Sequence, residues 1–439
     1  MNVIDGFESA KAALSRQIPA ISSTASPALR QGLKKMFGTD EPDQVVRQIV
    51  DEVQKRGDAA LIDLTLKIDG IKLDSLEIRK KQIVSAYREV DRELVSALKL
   101  AAERIHSFHS AQKSSIWHEV DKDGLGQLIR PLQRAGIYVP GGTASYPSTA
   151  LMTAIPAKVS GVSEVIIVTP PKSKGTVSPS VLVAADIAGV DRIFAVGGAQ
   201  AIAALAFGTE TIPRVDKICG PGNIFMTLAK KIVYGAVDID GLQGPSEVLI
   251  IADETSDPEY CAADILAQAE HDPLASVILV TTSRELVDEV NREIARQIEG
   301  LSRRTVIEES LQRGIIAVVA NIDEAIELAN LYAPEHLCLM VEKPTFCIGK
   351  IVNAGCIVAG REATVVLGDY VAGPSHALPT GGTARFGSPL NVSDFIKFIN
   401  VISVDQASLK QLGPAASIIA RAEGFDAHAR AVERRLKTD

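Results

Sequence analysis

The sequence predicts an α/β protein built on two parallel sheets, preceded by helices and followed by a helical tail. Three observations carry this expectation. Short β-rich runs alternate with helical runs from about Gln127 onward. The alternation then restarts near Ser246. The stretches on either side, from Asp43 to about Ile105 and beyond Asn391, show helical character only. Strand–helix alternation with short turns implies parallel neighbours, because each crossover helix returns the chain to the same edge and covers a face of the sheet.

The opening thirty or so residues, with ISSTASPALRQG, are mixed in character and read as an arm outside the core. From Asp43, the apolar residues Val45, Val46, Ile49, Val50 and Val53 recur at three-and-four spacing, the signature of a helix with one buried face. A long amphipathic run, Leu94 to Ser107, ends ahead of the sole tryptophan, Trp117. GIYVP, EVIIVTPP, DRIFAV and RVDKICG are then strands, with SVLVAADIAG and AQAIAALAFG as helices between them. In the second unit SEVLIIAD, ASVILVTTS, GIIAVVA, HLCLMV and GCIVAG are strands, separated by PEYCAADILAQAEHD, RELVDEVNREIARQI and DEAIELANLYAP as helices. Two successive units of similar size predict a duplicated fold, although their letter-by-letter identity is low.

Composition excludes several function classes. A chain of 439 residues is too long for one core, and 46% apolar residues suffice to fill two. A formal net charge of −8 argues against nucleic acid as a partner, which would require a basic face. No stretch is long and apolar enough to span a bilayer, and MNVIDGFESAKAALSRQ lacks the basic-then-apolar order of a secretory signal. The 5 cysteines (Cys219, Cys261, Cys338, Cys347, Cys356) show no CxxC spacing and lie in or beside apolar segments. They read as buried free thiols of a cytoplasmic protein. Cys219, beside a Gly-rich turn, is the only candidate for a reactive thiol.

The chemistry-bearing residues fall into two groups. The dinucleotide fingerprint GxGxxG is absent. Three Gly-rich turns nevertheless follow strands: Pro140-Gly141-Gly142-Thr143, Gly197-Gly198-Ala199-Gln200 and Gly220-Pro221-Gly222-Asn223. Glycine there lets backbone amides approach a phosphate, but any tight α/β turn also needs glycine. Among the 7 histidines, His106, His109 and His118 lie in or just after the amphipathic helical region and read as surface residues. In LAQAEHD, Gln268 and His271 fall three apart on a predicted helix, able to share a metal, with Glu270 and Asp272 as alternatives. In YAPEHL, Pro334 closes a helix and Glu335-His336 opens the next strand. An acid/base pair there suits proton removal from a hydroxyl, while a histidine capping helix carbonyls is the plainer reading. The loop LGDYVAGPSHALPTGGTARFGSPL holds Asp369, His376 and Arg385, and a loop of that length inside a domain is more often functional than not. Glu423 and His428, in AEGFDAH, lie on a helix where exposure is the ordinary expectation.

Several long stretches together resemble the histidinol dehydrogenase family: GIYVPGGTASYPSTALMTAIPAKVSGV, VGGAQAIAALAFGTETIPRVDKICGPGN, GPSEVLIIAD, AQAEHD, APEHL, LGDY..G..H.LPT, TARF.SPL and AEG.DAH, in the family's order from about Asp43 to the C-terminus. The resemblance implies oxidation of L-histidinol to L-histidine through an enzyme-bound aldehyde, with two hydrides passed to NAD, as the last step of histidine synthesis. It implies one zinc ion per chain at Gln268, His271, Asp369 and His428, with zinc positioning the substrate. His336 would be the base for the alcohol proton and Glu335 the group that activates water. Ser246, His376 and Glu423 match substrate-contacting positions; Tyr138, Gln200 and Asn223 match NAD-contacting ones. The family is an intertwined homodimer whose tail completes the neighbour's site. On this basis the chain divides into an arm (1–30), a discontinuous catalytic α/β domain (31–135 and 245–388), an incomplete Rossmann-like NAD-binding domain (136–244) and a dimerisation tail (389–439). The sequence departs from the family at Ser375, where Asn is usual, at Gly387, where Ser is common, and in the apolar REATVVLGDY, which lacks the usual proline. These positions border the pocket, so a dehydrogenase of another amino alcohol or of a polar diol, such as a sulfonated one, is the rival reading. A catalytically silent scaffold is the rival from another class.

Overall fold

The computed structural model describes residues 1–16, 25–117, 119–122, 124–141, 145–172 and 175–437. In chain order its strands are β1 (Asn2–Asp5), β2 (Val120–Lys122), β3 (Leu125–Pro131), β4 (Arg134–Tyr138), β5 (Glu164–Thr169), β6 (Arg192–Ala195), β7 (Lys217–Cys219) and β8 (Asp238–Ile239). There follow β9 (Glu247–Ala252), β10 (Ser276–Thr281), β11 (Ile315–Val318), β12 (His336–Met340), β13 (Cys356–Ala359) and β14 (Ile396–Ile402).

Two parallel sheets form the body, as the alternation predicted. One runs β6-β5-β4-β7-β8 and the other β1-β11-β10-β9-β12-β13. In each, the first strand of the repeating unit lies in the middle, the next two extend to one side, and the last two to the other. That order places a switch point between β4 and β7 in the first sheet and between β9 and β12 in the second, the places where an open α/β sheet leaves a crevice. The strands are apolar throughout because both faces are covered: every residue of β9 is buried.

Each sheet has two cores, reached by alternate residues. Ile166, Val168 and Phe194 face the helices Pro42–Arg56, Asp58–Asp69, Gly198–Phe207 and Ile224–Val233. Ile137, Val165 and Ile167 face Arg92–Ile116, Pro147–Ser160 and Pro179–Ile187 on the other side. In the second sheet Val248 and Ile250 meet Pro258–Ala269 and Arg284–Gln297, whereas Leu249 and Ile251 meet Phe7–Leu14 and Ile322–Tyr332.

Three expectations are corrected here. The segment 1–30 is not an arm throughout: β1 pairs in parallel with β11 and the helix Phe7–Leu14 packs into the core, with Ala10 and Leu14 buried. The segment 31–135 covers the sheet of 136–244, not that of 245–388, since Val45, Val46, Ile49 and Ile105 are buried against that sheet and its helices. An amphipathic stripe shows that a helix buries a face but not which sheet receives it. The tail is not wholly helical either. β14 lies antiparallel on β3, completing a three-stranded sheet with β2.

Among the helical histidines, His106 is exposed as expected, and His118 lies outside the described residues. His109 is buried instead, its Nδ1 3.0 Å from Gln112 Oε1. The same Gln112 oxygen accepts the Val392 N–H at 3.1 Å, so this helix holds the base of the tail. Phe395 anchors it further, fully buried in the core beside Pro147–Ser160. Beyond it the helices Gln406–Ala422 and Asp426–Leu436 pack chiefly on each other. Their outer faces carry exposed Leu412, Ile418, Ile419 and Phe425. No helix among the described residues is long and apolar enough to cross a membrane.

Phe395→Ala should loosen the tail from the body. Emptying a fully buried phenylalanine site costs about 3–5 kcal/mol, so urea denaturation should show a loss of that size. A loss under about 0.5 kcal/mol, below even the usual range for Ile→Val, would mean the tail is anchored elsewhere.

Candidate active site

The glycine turns lie at the C-terminal ends of the first sheet's strands. Gly142 and Thr143, of the first turn, lie outside the described residues. A side chain at Gly197 would overlap Pro170, and one at Gly220 (φ +114°) would overlap the Tyr138 carbonyl, so close packing alone requires glycine at both positions. Tyr138, which ends β4, is buried, and its hydroxyl accepts the Gly198 N–H at 3.4 Å. Burial pushes its pKa up to about 12. Asn223 caps the helix Ile224–Val233 by accepting the N–H groups of Phe225 and Met226 at 3.1 and 3.4 Å. Gln200 goes beyond packing: it is 1% exposed, yet both its amide atoms lack a protein partner. A buried primary amide with nothing to bond is costly unless a ligand or water meets it.

The second sheet presents a buried acid and base. Ala333, in the left-handed region (φ 52°), ends the helix Ile322–Tyr332 and turns the chain toward Glu335 and β12. The pairing of β12 with β9 begins at His336 and Val248. The residue just before that pairing, Glu247, holds both functional side chains through its backbone. Its N–H donates to Glu335 Oε2 at 2.8 Å, and its carbonyl accepts from His336 Nδ1 at 3.3 Å. His336 therefore satisfies a carbonyl of the neighbouring strand, not the end of a helix. Its Nε2 lies 3.4 Å from Asp369 Oδ1, and Nδ1 lies 3.7 Å from Glu335 Oε2.

Burial sets the proton affinities. Desolvation lifts Glu335 to about 7, despite the opposing pull of His336 and of the Glu247 N–H. Burial disfavours charge on His336, but the Asp369 hydrogen bond and the Glu335 carboxylate outweigh it and raise its pKa. Burial likewise opposes charge on Asp369, yet His336, with His376 and His271 beyond it, holds that carboxyl below the usual range.

The remaining candidates divide. Gln268, on Pro258–Ala269, is 1% exposed with both amide atoms unpartnered. That helix ends at Ala269, so His271 sits just past it rather than on it; its N–H bonds the Gln268 carbonyl at 3.3 Å. Of the alternatives, Glu270 caps the helix and Asp272 accepts the Leu274 N–H at 2.8 Å. Asp369 lies on the short helix Val365–Tyr370, which packs against Pro258–Ala269. His376 returns to it, with Nδ1 2.8 Å from the Asp369 carbonyl. Burial keeps the pKa of His376 low. Ser246 immediately precedes β9, its carbonyl accepting the Ser276 N–H at 2.9 Å.

Glu423 and His428 do not join this group within the chain. Both are exposed on the tail, where Glu423 caps a helix and His428 lies against Phe425. Among the described residues, no three His, Cys, Asp or Glu side chains gather as a metal group. Gln268 offers an amide oxygen instead, and the tail's His428 lies elsewhere. The buried, unpartnered amide of Gln268 beside the Asp369 helix nevertheless fits the role of a cation ligand.

The departures in the loop are locally accounted for. Ser375 is buried and donates to the Met152 carbonyl at 2.9 Å while accepting the Ala377 N–H at 3.2 Å, so its hydroxyl pins the loop to the first sheet's helices. A side chain at Gly387 would press on the Thr383 carbonyl at 3.1 Å. Arg385 donates to the Leu331 carbonyl, which also makes it an anchor. Cys219 is fully buried and its thiol is pushed far up by desolvation, which rules out a reactive thiolate.

Residues 34–436 match the model of the family described as histidinol dehydrogenase. A histidinol dehydrogenase of Dehalococcoides mccartyi (strain CBDB1) is 55% identical over 438 residues, covering 100% of both chains. One from Clostridium acetobutylicum is 50% identical, covering 93% of this chain and 96% of its own. The chain belongs to the histidinol dehydrogenase family. The crystal structure of histidinol dehydrogenase from Elizabethkingia anophelis superimposes with a TM-score of 0.90 at 35% identity, over 100% of this chain and 98% of that one. The family's α/β architecture with parallel sheets is thus shared along the whole length.

Sequence reasoning missed the two residues that buttress this family member's acid/base pair. The Glu247 carboxylate is almost buried, takes a two-pronged ion pair from Arg16 (2.6 and 2.7 Å), and accepts the Gly381 N–H at 3.2 Å. Arg16 in turn lies 3.6 Å over the Tyr332 ring and donates to the Tyr332 carbonyl at 2.7 Å. A lone charge opening the otherwise apolar EVLIIA was the available signal, since a buried carboxylate demands a partner. Arg16→Ala should cost about 3–5 kcal/mol, because it leaves that carboxylate unpaired. Glu247→Gln should cost less, since Arg16 is the more exposed partner and can turn toward water. In urea denaturation the double variant should lose clearly less than the sum of the two single losses; simple additivity would show that the pair is not coupled.

Proposed function

We propose that this chain oxidises L-histidinol to L-histidine through histidinaldehyde with NAD as acceptor, the last step of histidine synthesis, in the cytoplasm. The observation that carries the reading is the acid/base pair Glu335–His336, held on one buried peptide of β9 within reach of Asp369. Taking an alcohol to a carboxylate removes four electrons, as two hydrides, and adds one water. Two proton acceptors with different tasks are therefore needed at one carbon.

His336 suits the first task. Donation from Nδ1 to the Glu247 carbonyl turns Nε2 toward Asp369, so Nε2 is the nitrogen that takes the hydroxyl proton, and the Asp369 carboxylate accepts a hydrogen bond from the N–H so formed. Glu335 suits the second. With a pKa of about 7 it is poised near neutrality, able to take a proton from the water that adds to the aldehyde. Ser246, His376 and Glu423 are proposed substrate contacts, and Tyr138, Gln200 and Asn223 nucleotide contacts. Gln268, His271 and Asp369, joined by His428, are the proposed zinc ligands, one ion per chain. When bound, zinc supplies a positive centre that positions the substrate's imidazole and amine, and NAD supplies the hydride acceptor.

The shared strand order of the two sheets supports a duplicated pair of incomplete Rossmann-like units, the first for NAD. The tail supports a homodimer with shared sites. Its outer face exposes Ile418 at 69% and Ile419 at 59%, and its Glu423 and His428 lie away from the rest of the site, so a second copy both covers the face and receives the ligands.

NADH formation with L-histidinol in the presence of zinc tests the substrate, with two NADH expected per molecule consumed; no turnover would refute it. His336→Asn should slow the overall rate by ~10²–10⁴, the usual worth of a general base, and an unchanged rate would mean that this site is not used for catalysis. Glu335→Gln should slow the second oxidation more than the first, read as a burst of one NADH per site before steady state. Mixing reversibly dissociated His336→Asn and His428→Ala copies tests the sharing. If tails cross over, half the dimers are mixed and one site in each is intact, restoring about a quarter of wild-type activity. No recovery would place His428 in its own chain's site.

A further inference from the structure

Behind the turn Gly220–Asn223 lies an ion pair that the proposed chemistry does not use. Lys230, on the helix that follows the turn, meets Asp240 at 2.6 Å, with side chains only 2% and 3% exposed. The Lys230 ammonium also donates to the Gly220 carbonyl at 2.5 Å and to Gln243 Oε1 at 3.2 Å, which uses all three of its protons. The second Asp240 oxygen accepts the Gly220 N–H at 2.7 Å. Both polar groups of one glycine are thus held by the two halves of one buried pair.

We infer that Lys230 and Asp240 are a positioning pair that sets the nucleotide-binding turn. Gly220 sits at φ +114°, a conformation only glycine adopts readily, against the Tyr138 carbonyl at the switch point between β4 and β7. With its own N–H and carbonyl committed inward, and Pro221 lacking an N–H, the turn has one shape to present to a dinucleotide. A buried ion pair contributes little net stability relative to apolar residues of similar volume. Its effect here is to restrict the turn, so that the ordering required for binding is already done. The segment leading to Ser246 keeps separate anchors, Thr227 Oγ1 on the Gln243 carbonyl at 3.1 Å and the Gly244 N–H on Thr380 Oγ1 at 2.6 Å. Loss of the pair is therefore felt on the nucleotide side.

The inference rests on the reading of this turn as the NAD site, and the test separates the two. Wild-type protein, Lys230→Met/Asp240→Leu and Asp240→Asn are titrated with NADH by fluorescence, then assayed with NAD and L-histidinol. The double variant exchanges the pair for apolar groups and is expected to fold, with a melting temperature lowered by the Gly220 groups left without partners. Its NADH Kd and its KM for NAD should rise about tenfold or more as preorganisation is lost. Its KM for L-histidinol and its kcat at saturating NAD should stay within about threefold, because sites that share no partners act nearly independently. Asp240→Asn, which keeps an acceptor for the Gly220 N–H, should fall between the two and serves alone if the double variant does not fold. Unchanged NADH affinity in a folded variant, or equal changes in all three kinetic constants, overturns the positioning role. Wild-type protein that binds no NADH overturns the nucleotide reading itself.

Discussion

The Glu247 peptide is the constraint on which the rest of the site depends. A carboxyl and an imidazole buried side by side need hydrogen-bond partners that water cannot supply. The N–H of Glu247 serves Glu335 and its carbonyl serves His336, so one residue of β9 fixes both side chains of the pair opening β12. Glu247 can do this because it precedes the pairing of β9 with β12, which begins one residue later. Its own carboxylate then needs a partner, and Arg16 supplies it, held in turn against Tyr332. The N-terminal segment is thereby built into the back of the active site.

The same physical problem recurs at the proposed nucleotide turn with a different answer. There the groups to be fixed are backbone ones, at Gly220, and buried side chains hold them. The two sheets share one strand order, and the loop carrying His376 joins them. Ser375 bonds the Met152 carbonyl of the first unit while His376 bonds the Asp369 carbonyl of the second.

Periodicity made the two parallel sheets legible, because strands buried on both faces and the helices between them leave clear patterns. It did not reveal that Pro42–Arg56 and Arg92–Ile116 cover the first sheet, since an amphipathic stripe names no receiver. β1 was missed because a four-residue edge strand with three exposed positions carries almost no pattern. At the site, Glu335, His336 and Asp369 were legible through motif resemblance, and the structure brings them together. Arg16 and Glu247 were not, because their contact spans 231 residues of sequence and only folding brings them together. His109 shows the converse: its helical spacing suggested a surface residue, but it is buried with Nδ1 on Gln112, the residue that also holds Val392 of the tail.

One chain thus brings together Glu335, His336, Asp369 and the unpartnered amide of Gln268, while His428 stands apart on a tail with an exposed apolar face. On the proposed reading a second copy completes each site. A crystal structure of the zinc-loaded dimer tests this most directly. One zinc ion per chain is expected, bound by Gln268, His271 and Asp369 of one copy and by His428 of the partner subunit. A metal held entirely by one chain, or a His428 left facing solvent in the dimer, would contradict it.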